Sequence, residues 1–438
     1  MHDAAGLFLF PPPFIFWQRT AFRHFFLRPP LLPPSDMLSG KYIVVGAVAD
    51  DPLALDIAHY MRQETDIADI LAYKQFANTE FCPRFISDES DLDHIGHGLE
   101  GKTVIIVSSC SGQHTRNARA MRTFLVARAA KDNGAEKVIL IEPDLFYSAQ
   151  DRGPRPEYGH VAFQRTVSDY KKFDGQPWSA MLYAQLLKTS GVDVVMTVHN
   201  HSVAVAELFQ NIFDGNFFNL SPAELYASYL ANHASLTQAN SGDGLIICAP
   251  DKGAAPFAKS VYEAYVRESS GLLLKSAPSL LIMSKERTGE RQVAIQAADT
   301  SPTKLEEIKG KEVVVCDDMV RTGGTIVACC KELKKAGASR VLFLVTHFNS
   351  SQEVKENLND DVVDDIITTD TLPNILNRDM QGRLRKKMLV LKISRWIVNV
   401  LRNKILHLNL PEYCPPYNVD ISRKNPYWAE NQDLKDDL

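Results

Sequence analysis

From about residue 41 to 400, short β-branched and aliphatic runs alternate with longer stretches in which apolar residues recur every three or four positions. The runs Tyr42–Ala47, Val104–Ser108, Val138–Glu142, Val194–Val198, Leu245–Cys248, Leu280–Met283, Val313–Cys316 and Val341–Thr346 read as strands. The stretches Pro52–Arg62, Thr115–Lys131, Ser179–Lys188, Ala254–Val266 and Thr325–Lys335 read as helices. Such alternation predicts α/β architecture with mainly parallel sheets.

One unit occurs twice. Gly101-Lys102-Thr103-Val104-Ile105-Ile106-Val107 resembles Gly310-Lys311-Glu312-Val313-Val314-Val315-Cys316, and each is followed by a polar loop and a helix. The helices lead into matching turns, Asn133-Gly134-Ala135 and Ala336-Gly337-Ala338, whose glycines stand where a helix ends and a positive φ is wanted. Any two strand–helix units share some likeness, but this one extends over about 40 residues and predicts two related domains. Arg152–Gln176 lacks periodicity, is rich in Gly, Pro and charge, and reads as a long, mobile surface loop. Beyond Leu410 the chain becomes polar and proline-containing and reads as a tail without chemistry of its own.

Composition narrows the function. With 438 residues, 45% of them hydrophobic, the chain can build two or three packed domains. A net charge of -5 and a pI near 6.2 argue against a nucleic-acid partner, which calls for a basic stripe or arm. The seven cysteines are scattered and odd in number, so reduced thiols and a reducing compartment are expected. No apolar stretch reaches the roughly 18–20 residues of a membrane span; Ala4–Trp17 is interrupted by Pro11, Pro12 and Pro13. Residues 1–36 are acid-poor and carry Arg19, Arg23 and Arg28, as a transit peptide does, yet they are neither Ser-rich nor amphipathic. They read as an extension upstream of a start at Met37, with a cytoplasmic protein expected and organellar import as the alternative.

The strongest chemical signal is Val313–Ile326, VVVCDDMVRTGGTI. Its apolar run ends at Cys316 and delivers the next residues to the carboxyl end of a parallel strand, where open α/β sheets bind ligands. Asp317 and Asp318 follow at once and can accept hydrogen bonds from vicinal sugar hydroxyls, or hold a hydrated Mg²⁺ against them. Thr322-Gly323-Gly324-Thr325 then opens a helix, offering close backbone approach, N–H groups and two hydroxyls to a phosphate. An ordinary capped strand–turn–helix connection does not call for this whole combination.

This segment resembles the 5-phosphoribosyl 1-diphosphate loop of type I phosphoribosyltransferases and of ribose-phosphate pyrophosphokinases. Further segments, in order, resemble the second family. Phe76-Ala77-Asn78-Thr79-Glu80 is similar to its Phe-x-Asn-x-Glu segment, implying adenine stacking by Phe76 and polar contacts from Asn78 and Glu80. Tyr147–Arg152 resembles an ATP-site segment and brings in Gln150 and Asp151. Pro177-Trp178-Ser179-Ala180 resembles a helix start, and Thr197–His201 resembles the segment whose last residue, His201, helps bind Mg-ATP. Pro250-Asp251-Lys252-Gly253 resembles a Pro-Asp-x-Gly loop with a metal-linked carboxylate. Lys285-Glu286-Arg287 resembles the catalytic loop with its Lys-x-Arg pair, and Thr369–Pro373 a family turn. The likeness covers about residues 41–400.

The resemblance implies two tandem type I phosphoribosyltransferase-like domains related by a pseudo-twofold axis. It divides the chain into an extension (1–40), an ATP-side domain (41–218), a ribose 5-phosphate-side domain (219–405) and a tail (406–438). It implies diphosphoryl transfer from ATP to ribose 5-phosphate, with Lys285 and Arg287 as catalytic cations and Mg²⁺ held by His201, Asp251 and His199. Ribose 5-phosphate would be held by Asp317, Asp318, Thr322, Gly323, Gly324 and Thr325. The implied partners are the two substrates and further copies of the chain, in a dimer-based assembly extending to a hexamer whose contacts complete the ATP site. No nucleic acid or membrane partner is expected.

Four positions depart from the pattern. The family's ATP-site arginine is Ala149, with Arg152 the nearest candidate to replace it. His199 stands where the family has an aspartate, Arg321 where most such loops have an acidic residue, and the Arg152–Gln176 connection is long. Two other functions stay open. A catalytically weak homologue regulating active synthetase subunits is favoured by Ala149 and opposed by retention of Lys285, Arg287, Asp251, Asp317 and Asp318. A phosphoribosyltransferase would need neither the duplicated half nor Phe76–Glu80.

Overall fold

The computed structural model describes residues 40–87, 89–110, 114–161, 164–200, 202–232, 245–270, 277–287 and 293–420, with 285–287, 293–295 and 378 described by backbone alone. The strands of the first sheet are β1 (Tyr42–Gly46), β4 (Thr103–Val107), β5 (Lys137–Ile141), β6 (Val194–Val198) and β7 (Phe217–Leu220), in the order β1-β4-β5-β6-β7 and all parallel. Between β1 and β4 a hairpin of β2 (Leu71–Gln75) and β3 (Phe81–Phe85) stands apart as its own two-stranded sheet.

The second sheet repeats the plan. Its strands β8 (Ile246–Ala249), β11 (Glu312–Val320), β12 (Arg340–Phe348), β13 (Asp365–Thr369) and β14 (Met388–Lys392) run parallel in the order β8-β11-β12-β13-β14. A hairpin, β9 (Ser279–Arg287) and β10 (Val293–Ala297), again follows the first strand, and here it extends the sheet by pairing β9 with β8. The opposite edge is closed by β15 (Asn418–Asp420), antiparallel to β14, so the tail through Asp420 belongs to this sheet. The repeat seen in the sequence is therefore β4 and β11, each an interior strand of its sheet. Its turn glycines Gly134 and Gly337 have φ of 90° and 92°, a conformation that costs a residue with a Cβ.

Alternation along the strands of the second sheet sends Val314, Cys316, Leu342 and Leu344 to one face and Val313, Val315, Val341 and Phe343 to the other. Both faces are covered, as parallel sheets require. The first face shares a continuous core with the first sheet, which includes Val104–Val107, Val138–Ile141 and Val194–Met196. The helices Ala223–Asn232 and Ala255–Ser269 pack together, as do Pro52–Tyr60 and Ser394–Val400. Among the described residues no helix is long and apolar enough to cross a membrane. All seven cysteines are free thiols.

Residues 152–176 differ from the sequence reading. They contain the helix Val167–Lys172, and Arg165 ties the segment together. Its guanidinium donates to Asp169 at 2.7 Å and to the Gly153 carbonyl at 2.8 Å, and stacks over Tyr170 at 4.1 Å. Tyr158 stacks on Trp178 at 5.2 Å. Periodicity misses such a segment because one arginine bonded to backbone carbonyls organises it, with no apolar stripe.

Glu142, just past β5, is fully buried. Its carboxyl accepts from the Phe146 amide at 2.9 Å and from the Tyr183 hydroxyl at 2.8 and 3.0 Å. Burial pushes this group up to about 8, against the offsetting hydrogen bonds. The native chain thus keeps a proton that the unfolded chain releases near 4.5. The resulting stability is fully present below that value and is lost as pH rises toward about 8. Urea unfolding at about pH 5.5 and 8 should show this fall, and Glu142→Gln should make it smaller. An identical fall in the variant would remove Glu142 from the effect.

Candidate active site

β11 does not stop at Cys316 as its apolar run predicts. It continues through the acidic pair to Val320, held by β12 with Asp317 opposite Val345, Met319 opposite His347 and Val320 opposite Phe348. The ladder of a neighbouring strand supports two carboxylates that local polarity alone would assign to a loop. Both aspartates are half-buried and turn back on the backbone. Asp317 Oδ1 accepts from the Asp318 amide at 2.9 Å, and Asp318 Oδ1 from the Met319 amide at 2.7 Å.

The chain then turns through Arg321 and Thr322 into the helix Gly324–Lys335. Gly323 makes the turn at φ 82°, and a Cβ there would lie 3.2 Å from the Leu358 side chain, so both conformation and space select glycine. Asn357 donates to the Thr322 carbonyl at 2.7 Å and braces the turn. Thr322 is exposed and Thr325 half-buried at the helix start, where unpaired N–H groups and the helix dipole favour an anion. Arg321 is exposed, with its Nε 3.3 Å from Met319 Sδ.

This turn forms one wall of a cavity of about 1010 Å³. Asp317, Asp318, Thr322, Gly323 and Thr325 line it together with Asp251 and His199, so seven of the candidate residues meet there. Asp251 follows β8 and receives the amides of Gly253 at 2.8 Å and Ala254 at 3.1 Å, which start the helix Ala255–Ser269. His199 follows β6 at φ 49°, with its ring 4.0 Å from that of Phe257 and its Nδ1 2.7 Å from Thr346 Oγ1. Only the tautomer with the proton on Nδ1 leaves a lone pair on Nε2 for a metal.

Burial first, then the charges of Asp318 and Asp251, push the Asp317 carboxyl up to about 8. Carboxylates grouped in this way form a donor set suited to a cation. Among the described residues no group of three or more His, Cys, Asp or Glu side chains could hold a metal unaided.

The other candidates lie elsewhere. Phe76, Asn78 and Glu80 form the tip of the β2–β3 hairpin, closed by Phe76 N–H to the Glu80 carbonyl at 2.9 Å, and do not line the cavity. Phe76 is 42% exposed with Lys74 Nζ 4.7 Å from its ring centre, so a flat base would have access to it. Gln150 is exposed, and Asp151 accepts from Ser202 Oγ at 2.9 Å, pinning the loop after β6. Gly324 is at the helix start but does not line the cavity. His201 lies outside the described residues. Lys285 and Arg287 occupy β9 opposite Ile295 and Val293, two positions apart in an extended strand. Arg152, the candidate to replace the arginine missing at position 149, is held by its neighbours. Its guanidinium meets Asp151 at 3.4 Å and Asp169 at 3.6 Å and stacks over Phe173 at 4.9 Å, within the 152–176 segment.

Sequence reasoning missed the wall supplied by Asn219, Ser221 and Phe257. Asn219 and Asn200 exchange hydrogen bonds at 2.9 and 3.1 Å, joining the ends of β6 and β7. For Ser221 alone, a polar residue directly after a strand was the available signal. In the first sheet the end of β1 is filled instead: Asp51 accepts from Ser109 at 2.7–3.0 Å and pairs with buried Arg119 at 3.7 Å.

Two parallel sheets of the same order, with an acidic strand end and a glycine turn on the second, define a phosphoribosyltransferase-type α/β protein. Residues 43–167 match the N-terminal domain of ribose phosphate pyrophosphokinase, and residues 224–375 the phosphoribosyl transferase domain. The chain belongs to the ribose-phosphate pyrophosphokinase family and is a divergent transferase of it. The ribose-phosphate pyrophosphokinase of Methanopyrus kandleri is 28% identical over 287 residues, 66% of this chain and 82% of that one. That of Corynebacterium glutamicum is 27% identical over 321 residues, 73% and 82% of the two chains. The crystal structure of phosphoribosylpyrophosphate synthetase from Mycobacterium smegmatis superimposes with a TM-score of 0.61 at 23% identity, covering 84% of this chain and 99% of that one.

Proposed function

We propose that the protein is a ribose-phosphate diphosphokinase, moving the β,γ-diphosphoryl group of ATP to the 1-hydroxyl of ribose 5-phosphate. The observation that carries this reading is the cavity in which the acidic end of β11 and the glycine turn face Asp251 and the ends of β6 and β7. The helix start at Thr322–Thr325 binds the 5-phosphate, and Asp317 and Asp318 accept hydrogen bonds from the ribose hydroxyls. The 1-hydroxyl oxygen attacks the β-phosphorus in line. The bond from that phosphorus to the α,β-bridging oxygen breaks, AMP leaves, and the hydroxyl proton passes to solvent or product. Lys285 and Arg287 offset charge on the transferring group, one as a point charge and one as a planar fork. Asp251, with His199 and His201, would hold Mg²⁺, which when bound would supply further neutralisation of the phosphate oxygens. Phe76, Asn78, Glu80, Gln150 and Asp151 serve ATP. The position of the hairpin outside the cavity lining favours a nucleotide site completed by a neighbouring copy in a dimer-based assembly.

Purified protein with Mg-ATP and ribose 5-phosphate should release AMP only when the sugar phosphate is present. Inactivity across a range of phosphate and nucleotide concentrations would sink this reading. Ala149 and the engagement of Arg152 elsewhere favour one second reading, a weakly active subunit that regulates active synthetases. That reading requires little or no AMP release in the same assay, with a changed rate when the protein is added to an active synthetase.

A further inference from the structure

The two walls of the cavity come from different sheets, and a buried polar network behind them joins the strand ends. His347, opposite Met319 in β12 and only 4% exposed, is its centre. Its Nε2 lies 3.0 Å from the carbonyl oxygen of Val198, the last residue of β6 in the first sheet. Its Nδ1 lies 3.1 Å from Thr371 Oγ1, and the Thr369 hydroxyl donates to the Thr346 carbonyl at 2.8 Å. A carbonyl only accepts, so the proton sits on Nε2. Nδ1 is then an acceptor for the Thr371 hydroxyl proton, which also has the Thr346 carbonyl within reach at 3.0 Å.

The neighbouring residues of β12 reinforce the link. Thr346 meets His199 at 2.7 Å, and the Val345 carbonyl accepts from Tyr226 of the helix Ala223–Asn232 at 3.1 Å. Three consecutive residues thus each hold a part of the chain that precedes the second sheet. A buried histidine is most often a satisfied core group. This one is distinguished by what it bridges. Val198 directly precedes His199 and Asn200, and Met319 directly follows Asp318; all four of these neighbours line the cavity.

We infer that His347 is a positioning residue, which registers the His199–Asn200 wall against the Asp317–Asp318 wall without touching either substrate. The inference rests on the diphosphokinase reading for its functional consequence, because in-line transfer between two bound substrates is sensitive to displacements of about 1 Å. The hydrogen-bond bridge itself stands on geometry.

Two substitutions separate its two contacts. The amide of His347→Asn replaces the Nδ1 contact and falls short of Val198. The amide of His347→Gln reaches the Nε2 position and can donate to that carbonyl. His347→Asn should raise the KM for Mg-ATP about tenfold and lower kcat by a similar factor, with direct ribose 5-phosphate binding within about twofold of the parent. His347→Gln should recover most of the loss. Hydrogen exchange of the peptide spanning residues 196–206 should be faster in the Asn variant and near the parent rate in the Gln variant. This readout needs no turnover, so absent AMP release in the parent protein would overturn the diphosphokinase reading and leave the bridge to be judged by exchange. If His347→Asn fails to fold, His347→Leu, which fills a similar volume and removes the Nε2 donor to Val198, should speed exchange in the same peptide. Parent-like exchange in the folded variant, equal losses for both substrates, or a Gln variant no better than Asn would each overturn the inference.

Discussion

Lys285→Ala is expected to lower kcat by about 10²–10³, the usual effect of removing one preorganised group that stabilises transition-state charge. Phosphoryl-type transfer depends mostly on positioning and neutralisation, and no described side chain stands out as a dedicated base, so a cation on the transferring group carries much of the rate. The fold should survive. Lys285 lies on β9 in the hairpin at the edge of the second sheet, and the substitution keeps the backbone ladder to Ile295 intact. Lys285→Arg should restore only part of the rate, because a planar fork does not place its charge where an ammonium does. If Arg287 acts on the same group, the double variant should lose less than the product of the single losses. Steady-state turnover with a melting curve as control measures all of this, and an unchanged kcat in Lys285→Ala would end its catalytic assignment.

Asp318→Asn should raise the KM for ribose 5-phosphate by about 10- to 100-fold, with a smaller change in kcat. Hydrogen bonds to a charged acceptor contribute roughly 1.5–3 kcal/mol each, and tenfold in affinity corresponds to about 1.4 kcal/mol. Asparagine keeps an oxygen for the Met319 amide, now at 2.7 Å, so the strand end should hold its shape while the charge is lost. The charge of Asp318 is one cause of the raised Asp317 carboxyl, so the variant should also let Asp317 ionise at lower pH. Varying the sugar phosphate at saturating Mg-ATP reads the effect, and a KM equal to that of the parent would remove Asp318 from the sugar site.

The strands β1, β4, β5, β6, β8, β9, β11 and β12 and the helices that follow several of them were legible from apolar runs and periodicity. The missed strands had weaker local signals. β2 and β3 stand as an isolated hairpin, and β15 is only three residues long. β13 and β14 contain IITT and MLVL, runs short enough to belong to either element type until neighbours pair with them. Of the site, Asp251, Asp317, Asp318 and the Thr322–Thr325 turn were readable because each belongs to a short strand-to-helix segment carrying its own donors and acceptors. Asn219, Phe257 and His347 were not, because their roles depend on what faces them.

By itself the sequence determined a duplicated parallel α/β chain and one glycine turn opening a helix. Both are local properties: apolar spacing selects strand or helix, and a glycine at positive φ before a helix start makes an anion site wherever it occurs. Only the tertiary structure decided that β11 runs on through the acidic pair, that Arg165 folds the 152–176 segment, and that the Asp51 end of the first sheet is filled. It also decided that His199 meets Thr346, 147 positions away, and that His347 meets Val198, 149 positions away. Hydrogen bonds of that span are set by which strand ends two sheets bring side by side, and no pattern of neighbouring residues encodes that placement.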